Sequence, residues 1–423
     1  MKILLLGGGG REHAFAWKIS QSPHCSKLYI APGNPGTAQH GENVPIDPEN
    51  NAAVADFVEE KGIQMVVVGP EAPLVNGVWN YLKRYPSTAD VVVIGPSMQG
   101  AKLEGSKAYA KKFMQDFKIP TAGYREFFAT RSELALNFLR KKATLPIVLK
   151  ADGLAAGKGV VICQERDEAV VEMTQMLAGK FGEASRKVVV EEFLSGIEFS
   201  VFVLTDGDSY KILPVAKDYK RIGEGDTGPN TGGMGAVSPP PFVDAEMMKK
   251  VEERIVKPTI AGLKFRKIAY QGFIFLGLIK VGEDPFVIEY NVRMGDPETE
   301  VVLPRLKNDL VELFMAIHNR QLAKVKIEVD ERAATTIILA SGGYPGDYPK
   351  GKTITGLDKV EGSMVFHAGT KSVDNQLVTN GGRVMAITSL GKDFREALAV
   401  SNKNAAAIEF DGKYFRGDIG FDL

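Results

Sequence analysis

Short apolar runs alternate with amphipathic segments over the first part of the chain. We predict buried strands at Ile3–Leu6, Leu28–Ala31, Met65–Val68 and Val91–Ile94. Strands that are apolar throughout and are separated by helical patterns are typical of a parallel sheet covered on both faces. The pattern therefore predicts a parallel α/β domain over residues 1–104.

Glycine- and proline-rich loops follow these strands: GGGGREH, PGNPG, GPEAPL and GPS. Ligands of open α/β sheets bind at the carboxyl ends of the strands, so these loops should share one pocket. A dinucleotide fingerprint fails, because Glu12 or His13 stands where its third glycine is required. Glycines before a helix N-terminus still suit a phosphate, so a small phosphorylated ligand fits better than NAD. The alternative is a tight turn without a ligand.

A second region begins near residue 105 with a lysine-bearing helix over Ser106–Phe117. Thr130 and Glu133 have the spacing of a capping box, which predicts a helix that continues to Lys141.

Two predicted strands, Pro146–Lys150 and Val160–Cys163, enclose the segment ADGLAAGKG. We interpret this segment as a mobile flap whose free N–H groups and Lys158 close over nucleotide phosphates. It is not a Walker A loop, because Gly159 rather than serine or threonine follows the lysine.

Carboxylates flank the next apolar strands: Glu191, Glu192 and Glu198. Buried acids are costly without partners, and an adenine amino group or a ribose hydroxyl would supply them. Exposure of one acid of the Glu191–Glu192 pair to water is the alternative. Farther on, Lys217–Ala236 is rich in glycine and in both charges, and we interpret it as a binding loop without regular structure.

The segment VIEYNVRMGDPE carries the most informative polar pattern. As a strand it places Glu289, Asn291 and Arg293 on one face. Mg²⁺ prefers carboxylate and amide oxygens combined with phosphate oxygens, and arginine binds carboxylate or phosphate with a planar fork. The turn that follows should bring Asp296 and Glu298 to the same place. Taken alone, the segment fits an amphipathic edge strand equally well.

Composition excludes several classes of protein. The 52 basic and 52 acidic residues balance, so no overall field favours nucleic acid or an anionic membrane. Cys25 and Cys163 are far apart, which indicates neither a zinc site nor a disulfide and favours a reducing cytoplasm. No stretch approaches the roughly 18 to 20 apolar residues of a membrane span.

The order of these parts predicts ATP held between two sheets, with a metal and an acceptor carboxylate at its phosphate end. Such a site phosphorylates a carboxylate, and the acyl phosphate formed is open to attack by an amine.

The chain resembles the glycinamide ribonucleotide synthetases, or phosphoribosylamine–glycine ligases, of the ATP-grasp superfamily. The motifs that carry the resemblance run nearly end to end: GGGGREHA, APGNPGT, VGPEAPLV, LEGSKAYAK, KADGLAAGKGV, VVEEFLSG, GDTGPNTGGMGA, EYNVRMGDPE, FHAGT and TNGGRV. The resemblance implies an α/β ATP-grasp fold in three domains. These are an N-terminal parallel-sheet domain (1–104), an ATP-grasp domain (105–323) with a mobile lid at about 121–192, and a C-terminal α+β domain (324–423).

The resemblance also implies the reaction and its setting. ATP and glycine would form glycyl phosphate, which 5-phosphoribosylamine attacks to give glycinamide ribonucleotide, ADP and phosphate in purine biosynthesis. The enzyme would be a cytoplasmic monomer that binds neither nucleic acid nor membrane and contacts the enzyme that makes phosphoribosylamine only transiently.

Site residues follow from the same motifs. Mg²⁺ or Mn²⁺ would be bound by Glu289 and Asn291. ATP would be bound by Lys107, Lys150, Gly157, Lys158, Gly159, Glu191, Glu192, Leu194 and Glu198. Catalytic positions would be Arg293, which takes the glycine carboxylate, Asp218 and Lys220. The substrates would be bound by Gly9, Asn34, Gly36, Thr37, Glu71, Asp296, Pro297 and Glu298.

Two departures from the family pattern are visible. The usual Gln-Asp-His-Lys-Arg is replaced by KDYKR, with Lys217 and Tyr219, and Met294 replaces the usual phenylalanine.

Three other functions compete with the ligase. The GPNTGGMGA and GPEAPL motifs disfavour an ATP-grasp ligase with another acceptor, and the failed fingerprint disfavours a nicotinamide-dependent oxidoreductase. The EYNVR segment disfavours a nucleotide-binding module without catalysis.

Overall fold

A computed structural model describes residues 1–154 and 159–423. Its first strands are β1 (Lys2–Gly7), β2 (Lys27–Pro32), β3 (Glu42–Asn43), β4 (Met65–Val68) and β5 (Val92–Ile94). The helices of this part are α1 (Gly10–Ile19), α2 (Asn51–Lys61), α3 (Glu71–Val75), α4 (Val78–Arg84) and α5 (Met98–Gly105).

The first sheet is parallel, with the strand order β3-β2-β1-β4-β5. Ile3–Leu6 of its central strand are fully buried, as expected for a strand with helices on both faces. The four predicted strands are confirmed, and their carboxyl ends meet at one edge of the sheet.

The next part comprises α6 (Lys107–Asp116), β6 (Tyr124–Phe128), α7 (Ser132–Lys141), β7 (Ile147–Ala151), β8 (Val160–Cys163), α8 (Arg166–Leu177) and β9 (Lys187–Glu192). Its four strands form an antiparallel sheet in the order β6-β9-β7-β8. The predicted capping box is wrong, because Thr130 lies in a short 3₁₀ turn and α7 starts after Arg131 without a side-chain cap. Gly157 and Lys158 lie outside the described residues.

The strands that follow are β10 (Ile197–Thr205), β11 (Tyr210–Ile212), β12 (Lys217–Asp218), β13 (Arg221–Gly223), β14 (Thr227–Asn230), β15 (Gly235–Ser238), β16 (Gly272–Val281) and β17 (Asp284–Asn291). The helices are α9 (Ala245–Val251), α10 (Lys257–Phe265), which a π-helical turn (Glu252–Val256) joins to α9, α11 (Thr299–Arg305) and α12 (Leu310–His318). An antiparallel sheet with the order β11-β10-β16-β17 brings β17 to its edge.

The segment Lys217–Ala236 is not a loop without regular structure, as the sequence predicted. It contains β12, the hairpin β13–β14 and the start of β15. The prediction failed because these strands are two to four residues long and Thr227–Asn230 is exposed throughout, so no apolar alternation marks them.

The last part contains β18 (Ala333–Ser341), β19 (Ser363–His367), β20 (Thr370–Val373), β21 (Gln376–Thr379), β22 (Arg383–Gly391), α13 (Phe394–Ala407) and β23 (Lys413–Tyr414). Its main sheet has the order β12-β15-β18-β22-β19, with β23 beside β18. Because β15 pairs with β18, the middle and last parts of the chain share one sheet. In the described ranges, no helix is long and apolar enough to cross a membrane.

Candidate active site

Glu289 and Asn291 lie at the end of β17, where the sequence predicted a metal site. Glu289 is opposite Gly277 of β16, and a Cβ atom at Gly277 would lie only 3.1 Å from Glu289 Cγ. Burial favours the neutral form of Glu289, but the surrounding lysines and Arg293 outweigh it and lower the pKa of Glu289. The ionised form of Glu289 is therefore favoured by the positively charged side chains around it.

These two residues fit a divalent cation. Glu289 offers an ionised oxygen, Asn291 offers an amide oxygen two positions away, and the buried Asn291 Nδ2 has no hydrogen-bond partner among the described residues. One carboxylate and one amide leave further ligand positions for phosphate and water, which Mg²⁺ prefers to a cage made wholly of protein oxygens.

Arg293 follows β17 and connects this strand to helices α3 and α5 of the first part of the chain. Its Nη2 donates to Glu104 Oε1 at 2.7 Å and to Asn291 Oδ1 at 3.2 Å, and its Nε lies 3.5 Å from Glu71 Oε2. The Nε–H makes no hydrogen bond within the described part of the chain, so it is available to a ligand. Glu104 was not predicted, because an acid inside a helix carries no signal of its partner in the fold.

The carbonyl of Met294 accepts hydrogen bonds from two guanidinium groups, those of Arg11 and Arg293, at 3.2 and 3.1 Å. The Met294 side chain itself is fully buried. The methionine that departs from the family pattern therefore contributes its backbone to the site and its side chain to the core.

Lys107 and Lys150, the described members of the predicted ATP lysines, lie close enough together for the charge of Lys150 to act on Lys107, and we call their surroundings the lysine cleft. Lys107 donates to the Gly153 carbonyl at 3.1 Å, and Lys150 donates to the Ile288 carbonyl at 3.2 Å. Lys150 also pairs with Glu191 Oε2 at 3.0 Å, while Glu191 Oε1 is buried and has no partner among the residues described. This free oxygen is a ready acceptor for a ligand.

Lys111 belongs to the same cluster and was missed. Its Nζ lies 2.9 Å from Glu191 Oε2, and burial lowers the pKa of Lys111 to about 8 despite this pairing. The signal was present in the sequence, because Lys111 lies four residues after Lys107 and shares its helix face.

The remaining ATP residues lie along β9 and the start of β10. Glu192 is exposed and accepts from the Gly123 N–H at 3.3 Å, and Leu194 is half-buried. Glu198 pairs with Lys220 at 2.7 Å. The Gly159 carbonyl accepts from the Ala151 N–H, which closes the base of the predicted flap.

Asp218, Lys220 and Glu298 form a charged group beside Glu289. Burial, and secondarily Asp218, raise the pKa of Glu298 to about 7. Burial opposes the charge of Lys220, but Asp218, Glu198 and Glu289 outweigh it and raise the pKa of Lys220 well above its usual value. Glu298 also accepts from Ser200 Oγ at 3.2 Å. The lysine is thus a fixed cation next to two carboxyl groups that share a buried site.

The loop after β2 is organised by its own side chains. Asn34 Oδ1 accepts from the N–H groups of Gly36 and Thr37 at 2.8 and 3.0 Å. Asn34 Nδ2 donates to the carbonyls of Gly8 and His367 at 2.9 and 2.8 Å. Asn34 and Thr37 are buried, so they shape the loop and join it to the glycine run and to β19.

The glycine run is lined by carboxylates. Glu12 Oε2 accepts from the Gly9 N–H at 2.7 Å, and a Cβ atom at Gly9 would lie 3.2 Å from Asp296 Oδ2. Arg11 pairs with Glu12 at 2.6 Å. The N-terminus of α1 therefore faces acids of the protein itself together with the Arg11 guanidinium, and the phosphate that the sequence predicted there stays a prediction.

Arg383 brings the last part of the chain to the site. Its Nη1 donates to the carbonyls of Gly232 and Asp296, both at 2.6 Å, and its Nη2 pairs with Asp296 Oδ1 at 2.9 Å. Pro297, the next residue of the turn, is buried. Arg383 was not singled out from the sequence, although this residue lies in the TNGGRV motif.

Glu300 is a further acid that the sequence did not single out. It is fully buried, and neither of its oxygens has a hydrogen-bond partner in the described ranges. Burial and then Asp296 raise the pKa of Glu300 well above its usual value, so the site favours the neutral form of this carboxyl group.

The structure thus brings together the described members of the predicted set. Glu289, Asn291 and Arg293 meet the lysine cleft on one side and the loops of the first sheet on the other. Gly157 and Lys158, which also belong to the predicted set, lie outside the described residues.

Comparison with known proteins identifies the family of this chain. Three phosphoribosylglycinamide synthetase family models match the chain: the N domain over residues 1–104, the ATP-grasp (A) domain over 105–299 and the C domain over 334–422. The chain is 46% identical over 427 residues to a phosphoribosylamine–glycine ligase of Chlorobaculum tepidum, with 99% of each chain covered. It is 46% identical to the Escherichia coli protein of the same name over 429 residues, which cover 100% of this chain and 98% of that protein.

A solved structure extends the comparison to the fold. The crystal structure of phosphoribosylamine–glycine ligase from Thermotoga maritima superposes with a TM-score of 0.85 at 34% identity and covers 99% of this chain and 100% of its own. The predicted α/β ATP-grasp architecture is confirmed by this match and by the sheets described above. The chain belongs to the phosphoribosylglycinamide synthetase family.

Proposed function

We propose that this protein ligates glycine to 5-phosphoribosylamine at the expense of ATP, giving glycinamide ribonucleotide, ADP and phosphate in purine biosynthesis. Full-length similarity to phosphoribosylamine–glycine ligases supports the reaction class. The observation that carries the proposal is the position of Arg293, which donates to Asn291 of the carboxylate–amide pair suited to a metal and lies close enough to the buried Glu298 for its charge to act on that acid. A cation next to acids is complementary to an amino acid zwitterion.

ATP lies in the lysine cleft in this proposal. Lys107 and Lys150 meet its phosphates, and the free Glu191 Oε1 accepts a hydrogen bond from the adenine amino group. Glu289 and Asn291 hold a divalent cation, Mg²⁺ or Mn²⁺, which when bound neutralises charge on the transferring phosphoryl group. Residues 121–192, with Lys158, act as the lid that closes over the nucleotide.

Glycine lies between Arg293 and the acids. The free Arg293 Nε–H donates to the glycine carboxylate, and Asp218 and Glu298 accept from its ammonium group. Lys220, held by Glu198, faces the same space and adds positive charge for the incoming phosphoryl group.

The second substrate lies at the loops of the first sheet, which Gly9, Gly36 and Glu71 line. Because the glycine run is lined by Glu12 and Asp296, we place the amine end of phosphoribosylamine there, where carboxylates accept its N–H groups.

The reaction then proceeds in two displacements. A glycine carboxylate oxygen attacks the γ-phosphorus of ATP, the bond to the ADP oxygen breaks, and glycyl phosphate forms. The amine nitrogen next attacks the glycyl carbonyl carbon, phosphate leaves with its bridging oxygen, and the amine loses one proton. Two carboxylates lie beside Gly9, those of Glu12 and Asp296. Glu12 is held by the Gly9 N–H and by Arg11, and Asp296 accepts that proton in our proposal.

Phosphate release tests the proposed function. The assay contains ATP, Mg²⁺ or Mn²⁺, glycine and freshly generated phosphoribosylamine, and each component is omitted in turn. We expect release that needs both glycine and the amine, together with a product of the mass of glycinamide ribonucleotide. Turnover with bicarbonate or formate in place of glycine would instead indicate another ATP-grasp ligase.

The finer expectations on assembly and setting also belong to this proposal. The two free cysteines support a reducing cytoplasm. The family resemblance supports a monomer that contacts the enzyme supplying phosphoribosylamine only transiently. Light scattering after size exclusion, with and without that enzyme, measures the oligomeric state.

A further inference from the structure

The hairpin β13–β14 lies directly after the strand that carries Asp218. Within the described residues its two strands pair only with each other. An isolated hairpin is marginally stable, so contacts from elsewhere must fix it. Lys220 is the last residue before the hairpin, and its carbonyl accepts from the N–H and the hydroxyl of Thr231, at 2.7 Å each. The position of the hairpin therefore sets the position of Lys220.

Residues 414–423, which we call the clasp segment, supply these contacts. Arg416 is fully buried, and its Nη1 donates to Asp226 Oδ1 at 2.7 Å and to the Arg221 carbonyl at 3.1 Å. Asp418 holds the same guanidinium through two bonds, at 2.7 and 2.8 Å, and accepts from the Gly225 N–H at 2.7 Å. One arginine and one aspartate thus bind the first strand of the hairpin and its turn.

Two more bonds extend the contact. The hydroxyl of Tyr414 donates to the Ile222 carbonyl at 2.7 Å, and the Gly417 N–H donates to Glu224 Oε1 at 3.1 Å. The clasp segment therefore contacts the first strand of the hairpin, β13, and its turn.

Asp422 makes a separate connection to β12. Its Oδ1 accepts from the Tyr219 hydroxyl at 2.8 Å, and its Oδ2 pairs with Lys217 at 3.1 Å. The Lys217 ammonium lies 4.0 Å from the centre of the Tyr219 ring. Both residues that depart from the family pattern in this strand thus contact one carboxylate of the clasp segment.

Strand alternation relates this connection to the chemistry. Lys217 and Tyr219 lie on one side of segment 217–220, where both contact Asp422, and the alternation of an extended chain places Asp218 and Lys220 on the other side. On that other side Lys220 pairs with Glu198, and Asp218 lies close enough to raise the pKa of Glu298. A carboxylate on the back of the strand therefore fixes the strand whose front faces glycine.

We propose that the clasp segment positions Asp218 and Lys220 for glycine, with Asp422 as its main positioning residue. The inference rests on the proposed function, because the effect it describes is on glycine use. It assigns a role in the glycine site to residues that do not touch the substrate.

Asp422→Ala tests the inference, since it removes both bonds and Asp422 lies at the surface of the clasp. We expect the KM for glycine to rise about tenfold, equivalent to about 1.4 kcal/mol of binding free energy, while the KM for ATP stays unchanged. Hydrogen exchange of residues 217–231 should accelerate in the same variant. Asp411→Ala is the matched control, because Asp411 is an exposed carboxylate nearby in the chain that pairs only with Lys352 among the described residues.

A double-mutant cycle identifies the contact responsible. Lys217→Gln and Asp422→Asn each break the same ion pair, so their effects on the KM for glycine should be less than additive. Additive effects would show that Lys217 and Asp422 do not act through one ion pair, and they would overturn the inference. An equal rise in the KM values for glycine and ATP would also overturn it, because a merely structural role predicts such a rise. An unchanged KM for glycine in Asp422→Ala would overturn the clasp alone. Wild-type turnover that is independent of glycine would overturn the proposed function, and the inference with it.

Discussion

Replacing Arg293 should affect both the stability of the fold and the binding of glycine. The guanidinium is only 15% exposed and pairs with Glu104, which is itself 6% exposed, at 2.7 Å. Arg293→Ala leaves that carboxylate buried and unpaired. The single variant therefore loses stability as well as a substrate contact, and activity alone cannot tell the two losses apart.

The structure provides the means to distinguish them. Breaking a buried ion pair by removing one partner costs about 3–5 kcal/mol, a large part of the stability of a domain. Glu104→Gln neutralises the acid, and the amide oxygen can still accept from the Val292 N–H, which now donates to Glu104 at 2.8 Å. We expect the double variant Arg293→Ala/Glu104→Gln to regain most of the melting temperature.

Activity should not return with stability. Loss of one or two charge-assisted hydrogen bonds to the glycine carboxylate, at about 1.5–3 kcal/mol each, predicts a fall of about 10- to 10⁴-fold in kcat/KM for glycine. Thermal unfolding and steady-state kinetics of the single and double variants are the assays, with the Kd for ATP as a control that should change little. A double variant with near-normal kcat/KM for glycine would refute the assignment of Arg293.

Three further predictions follow from the same site. Glu289→Gln should weaken the apparent metal affinity about 100-fold in a Mg²⁺ titration of turnover. Glu283→Gln should have no effect, because Glu283 is an exposed acid in the turn between β16 and β17. Burial and Asp218 raise the pKa of Glu298 to about 7, so the KM for glycine should fall between pH 6 and 8 as the acid ionises, and Glu298→Gln should remove this slope. Burial raises the pKa of Glu300 above its unfolded value, so this group destabilises the fold increasingly as pH rises; Glu300→Gln should raise the melting temperature more at pH 8 than at pH 5, and an equal gain at both would contradict the neutral carboxyl.

The sequence predicted those parts of the site that local geometry controls. Alternation along β17 placed Glu289 and Asn291 together, and the carboxyl ends of parallel strands brought the loops of Gly9, Asn34 and Glu71 to one edge. These predictions needed only the period of a strand and the topology of a parallel sheet.

The rest depended on contacts between distant parts of the chain. Glu104, Arg383 and Lys111 reach the site from two helices and from the start of β22, where a charged residue looks the same whether it faces water or a partner. The strands within 217–230 escaped detection because Arg416, about two hundred residues away, supplies the contacts that an apolar pattern would otherwise supply.

The fate of the glycine oxygens tests the central claim most directly. If glycyl phosphate forms and the amine displaces its phosphate, each phosphate released must carry one oxygen from the glycine carboxylate. Turnover of glycine labelled with ¹⁸O in both carboxylate oxygens, followed by mass analysis of phosphate and product, should show one label in phosphate and one in the amide. Unlabelled phosphate, with both labels retained outside it, would contradict phosphorylation of glycine and with it the proposed roles of Arg293 and Lys220.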